Sequence, residues 1–355
     1  MSYPKIVKVS LALPEHKVNQ KIAREWARER FSSAFKDIDR LVDVFDNSGI
    51  ENRYFCVPPE WFSGDDKSFQ EKNDTYIEHA TLLSNSAISS CLNSTEIGAG
   101  DVDYLIFVST TGLATPSIDA RLIGSVDMNP HIRRTPIWGL GCAGGAAGLS
   151  HAYHYILGHP KARVMLVALE LCGLTFHFQD MSKSNLVATA LFGDGCAAVL
   201  VTGEEVEDGL EGPIILGTQS TLWPDSLKVM GWNIYNEGMQ VVFSRAIPVI
   251  VRKMAKENIE VFLKQHDLRL EDIDHFIAHP GGTKVLDAYE EALNLRPGLT
   301  DVSRKILSEY GNVSSVTVLM VLERFMRSGM TQKGDLGLVT ALGPGFSSEH
   351  MLVRF

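Results

Sequence analysis

Two hydrophobic periods run through this chain, and they alternate. From Val18 to Phe45, apolar residues recur at roughly helical spacing with charges between them, which predicts a helix; Tyr76 to Cys91 predicts a second. Asp103 to Val108 (Asp-Tyr-Leu-Ile-Phe-Val) is a short apolar run that ends in a polar Ser-Thr-Thr-Gly turn, the pattern of a buried strand. Later segments repeat this grammar. A strand ending at Trp138 precedes Gly141-Cys142 and a small-residue helix, Ala143 to Leu157, with a strand from Arg163 to Leu169 after it. A short strand, Phe276-Ile277-Ala278, comes before Gly311-Asn312, which opens a helix from Ser314 to Met326, followed by a strand from Leu336 to Leu342.

These two stretches form a weak internal repeat. Asp101-Val102-Asp103-Tyr104-Leu105-Ile106 resembles Asp272-Ile273-Asp274-His275-Phe276-Ile277. Cys142 lies 41 residues after Asp101, and Asn312 lies 40 residues after Asp272. Cys142 and Asn312 thus occupy matching helix starts. Strand–helix–strand units are common enough for chance to produce such a match. If the repeat is real, the fold is a duplicated α/β unit with its site between the halves. The halves are expected at 1–210 and 211–355, with the boundary in the Gly-, Glu- and Pro-containing stretch from Thr202 to Pro213.

Composition narrows the classes. The chain has 355 residues, 45% hydrophobic and 21% charged, which is ordinary globular usage for two domains or two fused halves. No apolar run approaches the roughly 20 residues needed to span a bilayer, so no stable membrane insertion is expected. The start, Met1-Ser2-Tyr3-Pro4-Lys5, lacks the apolar region of a signal peptide, and a cytoplasmic location is expected. A net charge of −10 without a long basic block argues against a nucleic-acid partner. Five cysteines, an odd number with no Cys-x-x-Cys pair, argue against a disulfide framework and give no support to a metal site.

Three residues carry candidate chemistry. Cys142 follows a glycine-rich turn at a helix start, where the dipole favours a thiolate and free backbone N–H groups can receive an oxyanion. A buried structural cysteine fits the same segment. His279 ends a strand before Pro280-Gly281-Gly282, and strand ends of α/β folds face binding crevices. Asn312 is explained equally well as a helix cap. A Cys–His–Asn set also serves cysteine proteases, so the set does not by itself name a reaction.

Five separated segments carry a family likeness: Trp138-Gly139-Leu140-Gly141-Cys142-Ala143-Gly144-Gly145, Leu191-Phe192-Gly193-Asp194-Gly195, Ala278-His279-Pro280-Gly281-Gly282, Glu309-Tyr310-Gly311-Asn312-Val313-Ser314-Ser315 and Gly343-Pro344-Gly345. With them the chain resembles type III polyketide synthases, the chalcone-synthase-like branch of the thiolase-fold condensing enzymes, over most of its length. The resemblance implies an α/β, duplicated thiolase-like fold of two pseudo-equivalent αβαβα halves. It implies CoA thioester substrates, a homodimer, and no metal or redox cofactor, because loss of CO₂ drives the step. Cys142 would be acylated by an acyl-CoA starter. His279 and Asn312 would hold the malonyl thioester carbonyl and stabilise the enolate, and His279 would also favour the Cys142 thiolate.

Phe192 matches the aromatic residue between substrate tunnel and cavity, although an ordinary core Phe would look the same. Thr110, Thr111, Cys172, Thr175 and Ser314 match cavity-wall positions, each also with a bland reading as a turn or small core residue, and the resemblance places Gly343, Pro344 and Gly345 among the substrate-binding residues as well. Two departures from the plant enzymes stand out: Val241 falls where they have a second gatekeeping aromatic, and Trp232 falls where they have glycine. Lys36, Arg40 and Arg53 are candidates for CoA phosphates, or solvated charges. The pattern is closer to bacterial members that extend medium or long fatty acyl starters to an alkylpyrone or alkylresorcinol. The nearest alternative is a ketoacyl synthase III of fatty-acid initiation. A cysteine hydrolase and a non-catalytic interaction module are remoter.

Overall fold

The computed structural model describes residues 3–63 and 67–355. The N-terminal half contains β1 (Lys5–Ala12), β2 (His16–Asn19), β3 (Asn52–Phe55), β4 (Tyr104–Val108), β5 (Arg133–Ile137), β6 (Arg163–Leu171) and β7 (Asp194–Thr202). Its helices are α1 (Gln20–Phe31), α2 (Ile38–Leu41), α3 (Asp43–Asp46), α4 (Phe69–Asn93), α5 (Ile118–Ser125), α6 (Gly144–Gly158) and α7 (Lys183–Leu191). The C-terminal half contains β8 (Ile214–Leu222), β9 (Met230–Tyr235), β10 (Gly238–Phe243), β11 (His275–Ala278), β12 (Leu336–Gly343) and β13 (Ser347–Arg354), with α8 (Ile247–Lys264), α9 (Thr283–Leu293), α10 (Asp301–Tyr310) and α11 (Thr317–Ser328).

Among the described residues, nine strands join in the order β11-β12-β13-β8-β1-β7-β6-β4-β5. The pairings on the two sides correspond. β4 and β6 are parallel, as are β11 and β12; β6–β7 and β7–β1 are antiparallel, as are β12–β13 and β13–β8. The expected repeat is therefore visible in the strand order itself.

Alternation along each strand explains the layering. In β6, Val164, Leu166 and Ala168 face a core built with α6 and α11, while Met165, Val167 and Leu169 face α4. In β12, Val339 and Ala341 join the same central core, while Leu338 and Leu342 face α8 and α9. Both faces are covered, so these strands read as continuous apolar runs. Glycines let the two central helices meet: a Cβ on Gly145 would lie 2.1 Å from the Ser315 carbonyl oxygen. That contact brings the two helix starts, with Cys142 and Asn312, to one place.

The single helix expected from Val18 to Phe45 is several elements. Val18 lies in β2, which pairs with β3, and Asn19 caps α1 through its side chain; α1 then stops at Phe31, before the short turns α2 and α3. The other expected elements hold with shifted ends. Tyr76–Cys91 lies within the longer α4, and 3₁₀ turns at Gly141–Ala143 and Ser314–Val316 precede α6 and α11.

Candidate active site

Cys142 sits in the 3₁₀ turn that leads into α6 and is 5% exposed. Gly141 before it has φ +47°, and a Cβ there would press on Pro344 at 2.7 Å. The Gly141 N–H donates to Thr110 Oγ1 at 3.1 Å, which ties the turn to the end of β4. Gly343 allows the equivalent approach from β12, since a Cβ there would lie 2.5 Å from the Leu140 carbonyl oxygen.

Asn312 connects the other parts. Its Oδ1 accepts from Ser314 N–H at 2.8 Å, and its Nδ2 donates to the Gly281 carbonyl at 3.3 Å, two residues beyond His279. Hydrogen bonds from Ser314 and Asn312 pull the Cys142 thiol downward, but burial outweighs them and pushes it up to about 12. His279 is held at the end of β11 by its N–H to the Thr340 carbonyl, 2.8 Å. Burial lowers its imidazole to about 3, and neither ring nitrogen has a hydrogen-bond partner among the described residues. Burial thus drives both groups of the expected thiolate–imidazolium pair toward neutrality, and direct contact would have to outweigh that. A neutral imidazole with an unengaged N–H is suited to donate to a thioester oxygen.

A small cavity of about 30 Å³ opens at the thiol, lined by Thr110, Thr111, Cys142, Cys172, Phe192, Trp232, Val241, Ser314 and Pro344 among others. Thr175 is not in that wall. Its hydroxyl bonds the Cys172 carbonyl at 2.7 Å, and it faces a separate small cavity that it shares with Thr111. Gly343 and Gly345 also do not line the cavity; Gly343 acts through its close backbone approach.

Val241 and Trp232 are cross-strand partners on the β9–β10 hairpin, and both line the cavity. An aromatic ring does stand beside Val241 on this side of the cavity. Phe243, two residues along β10, meets Phe192 edge to face at 6.3 Å and 87°. Strand alternation returns residue 243 to the face of residue 241, so aligning a single position misses the ring.

Among the basic candidates, Lys36 and Arg40 are exposed, and Arg40 pairs with Asp37 at 2.5 Å. Arg53 is neither a surface phosphate ligand nor a solvated charge, because it is 2% exposed. Glu170 was not anticipated. It lies fully buried at the end of β6, where its carboxylate accepts from Thr110 N–H at 3.0 Å and from the Ser315 hydroxyl at 2.7 Å. Burial raises it to about 7, against the pull of those bonds. A carboxylate inside an apolar run of a fully buried strand was the available signal.

Phe192 and Cys172 also line a second space. This is a largely apolar chamber of about 470 Å³, walled in addition by Ala23, Trp26, Phe55, Phe62, Phe176 and Ala188. Among the described residues, no group of three or more His, Cys, Asp or Glu is placed to hold a metal ion, and no helix is long and apolar enough to cross a membrane.

Comparison with known proteins agrees with this geometry. Residues 4–205 match the N-terminal domain and residues 214–355 the C-terminal domain of the chalcone and stilbene synthases. A putative chalcone synthase of Bacillus subtilis is 44% identical over 98% of this chain and 97% of its own. A 1,3,6,8-tetrahydroxynaphthalene synthase of Streptomyces peucetius is 37% identical over 99% of this chain and 93% of its own. The crystal structure of the Streptomyces coelicolor tetrahydroxynaphthalene synthase, a bacterial type III polyketide synthase, superposes with a TM-score of 0.94 at 28% identity and covers 99% of both chains. The duplicated architecture is thiolase-like.

Proposed function

The chain belongs to the chalcone and stilbene synthase family and is a type III polyketide synthase, and from that premise we propose that it loads an aliphatic acyl-CoA starter on Cys142 and extends it with malonyl-CoA. The thiol passes its proton to a base as it attacks the starter thioester, and CoA leaves. Malonyl-CoA then loses CO₂. The resulting enolate oxygen is met by His279 and Asn312, and its carbon attacks the acyl-Cys142 carbonyl, expelling the thiolate. Hydrogen bonds that strengthen as charge develops on that oxygen accelerate the step. No metal or redox cofactor is needed for this sequence of bonds.

One observation carries the starter class: the chamber of about 470 Å³ shares Phe192 and Cys172 with the cavity at Cys142. It is of ligand-pocket size and largely apolar, and Phe192 stands in the wall of both spaces. Trp232 fills the wall on the hairpin side, so an alkyl chain on Cys142 is directed past Cys172. Two or three extensions of such a chain give an alkylpyrone or an alkylresorcinol. A starter extended once would instead match ketoacyl synthase III, and release of free acid without malonate would match a hydrolase. The test is mass spectrometry of products from acyl-CoAs of graded length.

The working enzyme is proposed to be a cytoplasmic homodimer, since closed two-fold dimers are the commonest soluble oligomers. Light scattering should report twice the chain mass at micromolar concentration. A stable, active monomer refutes this.

A further inference from the structure

Arg53 carries a charge into the interior between the gate and the catalytic amide. Its stem lies in a slot left by two glycines: a Cβ on Gly311 would come within 2.7 Å of its Cγ, and one on Gly193 within 3.4 Å of its Cβ. Its head serves the end of α7. Nη1 donates to the carbonyls of Thr189 at 2.5 Å and Phe192 at 2.8 Å, and Nε donates to Gln20 Oε1 at 3.1 Å. Gln20 in turn donates to the Ala190 carbonyl at 2.8 Å. These carbonyls belong to the last turn of a helix and the residue after it, where a helix cannot satisfy them itself. Asp194, two residues beyond Phe192, supplies the compensating charge while accepting from Cys56 N–H at 2.9 Å and Gly173 N–H at 2.7 Å. Burial lowers Arg53 to about 10, so it stays charged at neutral pH. The segment it grips is bonded to Asn312 on both sides: Asn312 N–H donates to the Leu191 carbonyl at 2.9 Å, and Gly193 N–H donates to the Asn312 carbonyl at 3.0 Å.

We propose that Arg53 is a positioning residue for condensation: its planar fork and stem lock the Phe192 gate and Asn312 at one offset, so that the enolate formed at Asn312 is aimed at acyl-Cys142. Arginine suits this task because one rigid head reaches several acceptors, whereas lysine presents a point charge. The proposal rests on the condensing reading above. Once malonyl-CoA has lost CO₂, the enolate carbon has two fates. It attacks the acyl thioester, with the Cys142 thiolate leaving, or it takes a proton from water and departs as acetyl-CoA. Misplacement by about 1 Å can cost on the order of a hundredfold in rate, and that cost falls on the first fate alone.

The measurement is the ratio of acetyl-CoA released to condensed product, with malonyl-CoA and an acyl-CoA starter, for wild type, Arg53→Met and Arg53→Lys. Arg53→Met should raise the ratio about tenfold or more, with Arg53→Lys between it and wild type. A smaller fraction of folded enzyme lowers both products together and leaves the ratio unchanged; because Arg53 also lines the starter chamber, the ratio is compared at equal Cys142 acylation, read by intact-protein mass. An unchanged ratio overturns the proposal, and if Arg53→Met does not fold, an unchanged ratio in Arg53→Lys does the same. A wild type that releases no CO₂ from malonyl-CoA overturns the condensing reading instead, which separates the two failures.

Discussion

Phe192 and Asn312 form an isolated parallel β-bridge, so the aromatic residue proposed as the gate and the amide proposed to hold the enolate share one pair of backbone hydrogen bonds across the two halves of the chain. The Cys142 turn packs against the same junction through Ser314 and Asn312. The site is therefore fixed by backbone as much as by side chains, which is what a reaction that depends on aim requires.

Asn312→Ala removes a donor to the enolate oxygen while leaving the thiol in place. Malonyl-CoA decarboxylation should fall by about 10²–10³, and Cys142 should still take up a starter acyl group, as read by intact-protein mass. A normal decarboxylation rate would remove Asn312 from the enolate.

Cys142 and Cys172 both face the cavity, and burial raises both thiols. Only Cys142 has Ser314 and Asn312 as hydrogen-bond partners and stands at the start of a long helix. Cys142→Ser should lose loading and product, whereas Cys172→Ser should keep acylation. Peptide mapping that finds the starter on Cys172 would reverse the assignment.

Glu170 makes the pH dependence of stability testable. Its folded value, raised to about 7, stands above that of an exposed glutamate. The native state therefore binds the proton more tightly than the unfolded chain does. The resulting penalty is absent below the unfolded value, grows as pH rises toward 7, and is complete above it. Glu170→Gln, which mimics the protonated acid, should gain on wild type by about 3 kcal/mol between pH 4 and pH 8. Denaturant melts at the two pH values check this, and a difference independent of pH contradicts the shift.

The sequence makes the candidate trio and the duplicated plan legible because both are local. A glycine-rich turn before Cys142, a Pro-Gly-Gly turn after His279 and a repeated strand–helix–strand grammar all lie within short windows. What was not legible is what distant segments decide. Arg53, in Asn52-Arg53-Tyr54, looks like a surface charge until the carbonyls of Thr189 and Phe192 close over it. The helix expected from Val18 fails because β2 pairs with β3, Val18 opposite Arg53. Phe243 escaped notice because the facing of a hairpin depends on its register, here Val241 opposite Trp232.

The proposed starter class rests on the chamber. Ala188 lies in its wall, so Ala188→Phe should shift the preferred starter to shorter chains without reducing malonyl-CoA decarboxylation. A longer-chain preference, or none, would place the alkyl group elsewhere.

The most direct test supplies acyl-CoAs from acetyl to palmitoyl with isotope-labelled malonyl-CoA and weighs the products. Each methylene buried in the chamber contributes roughly 0.8 kcal/mol, or at most about fourfold in kcat/KM. Activity should climb with starter length until the chamber is filled, and products should contain two or three labelled two-carbon units. Activity that is greatest with acetyl-CoA and falls steadily from hexanoyl to palmitoyl, or products with a single labelled unit, would contradict it.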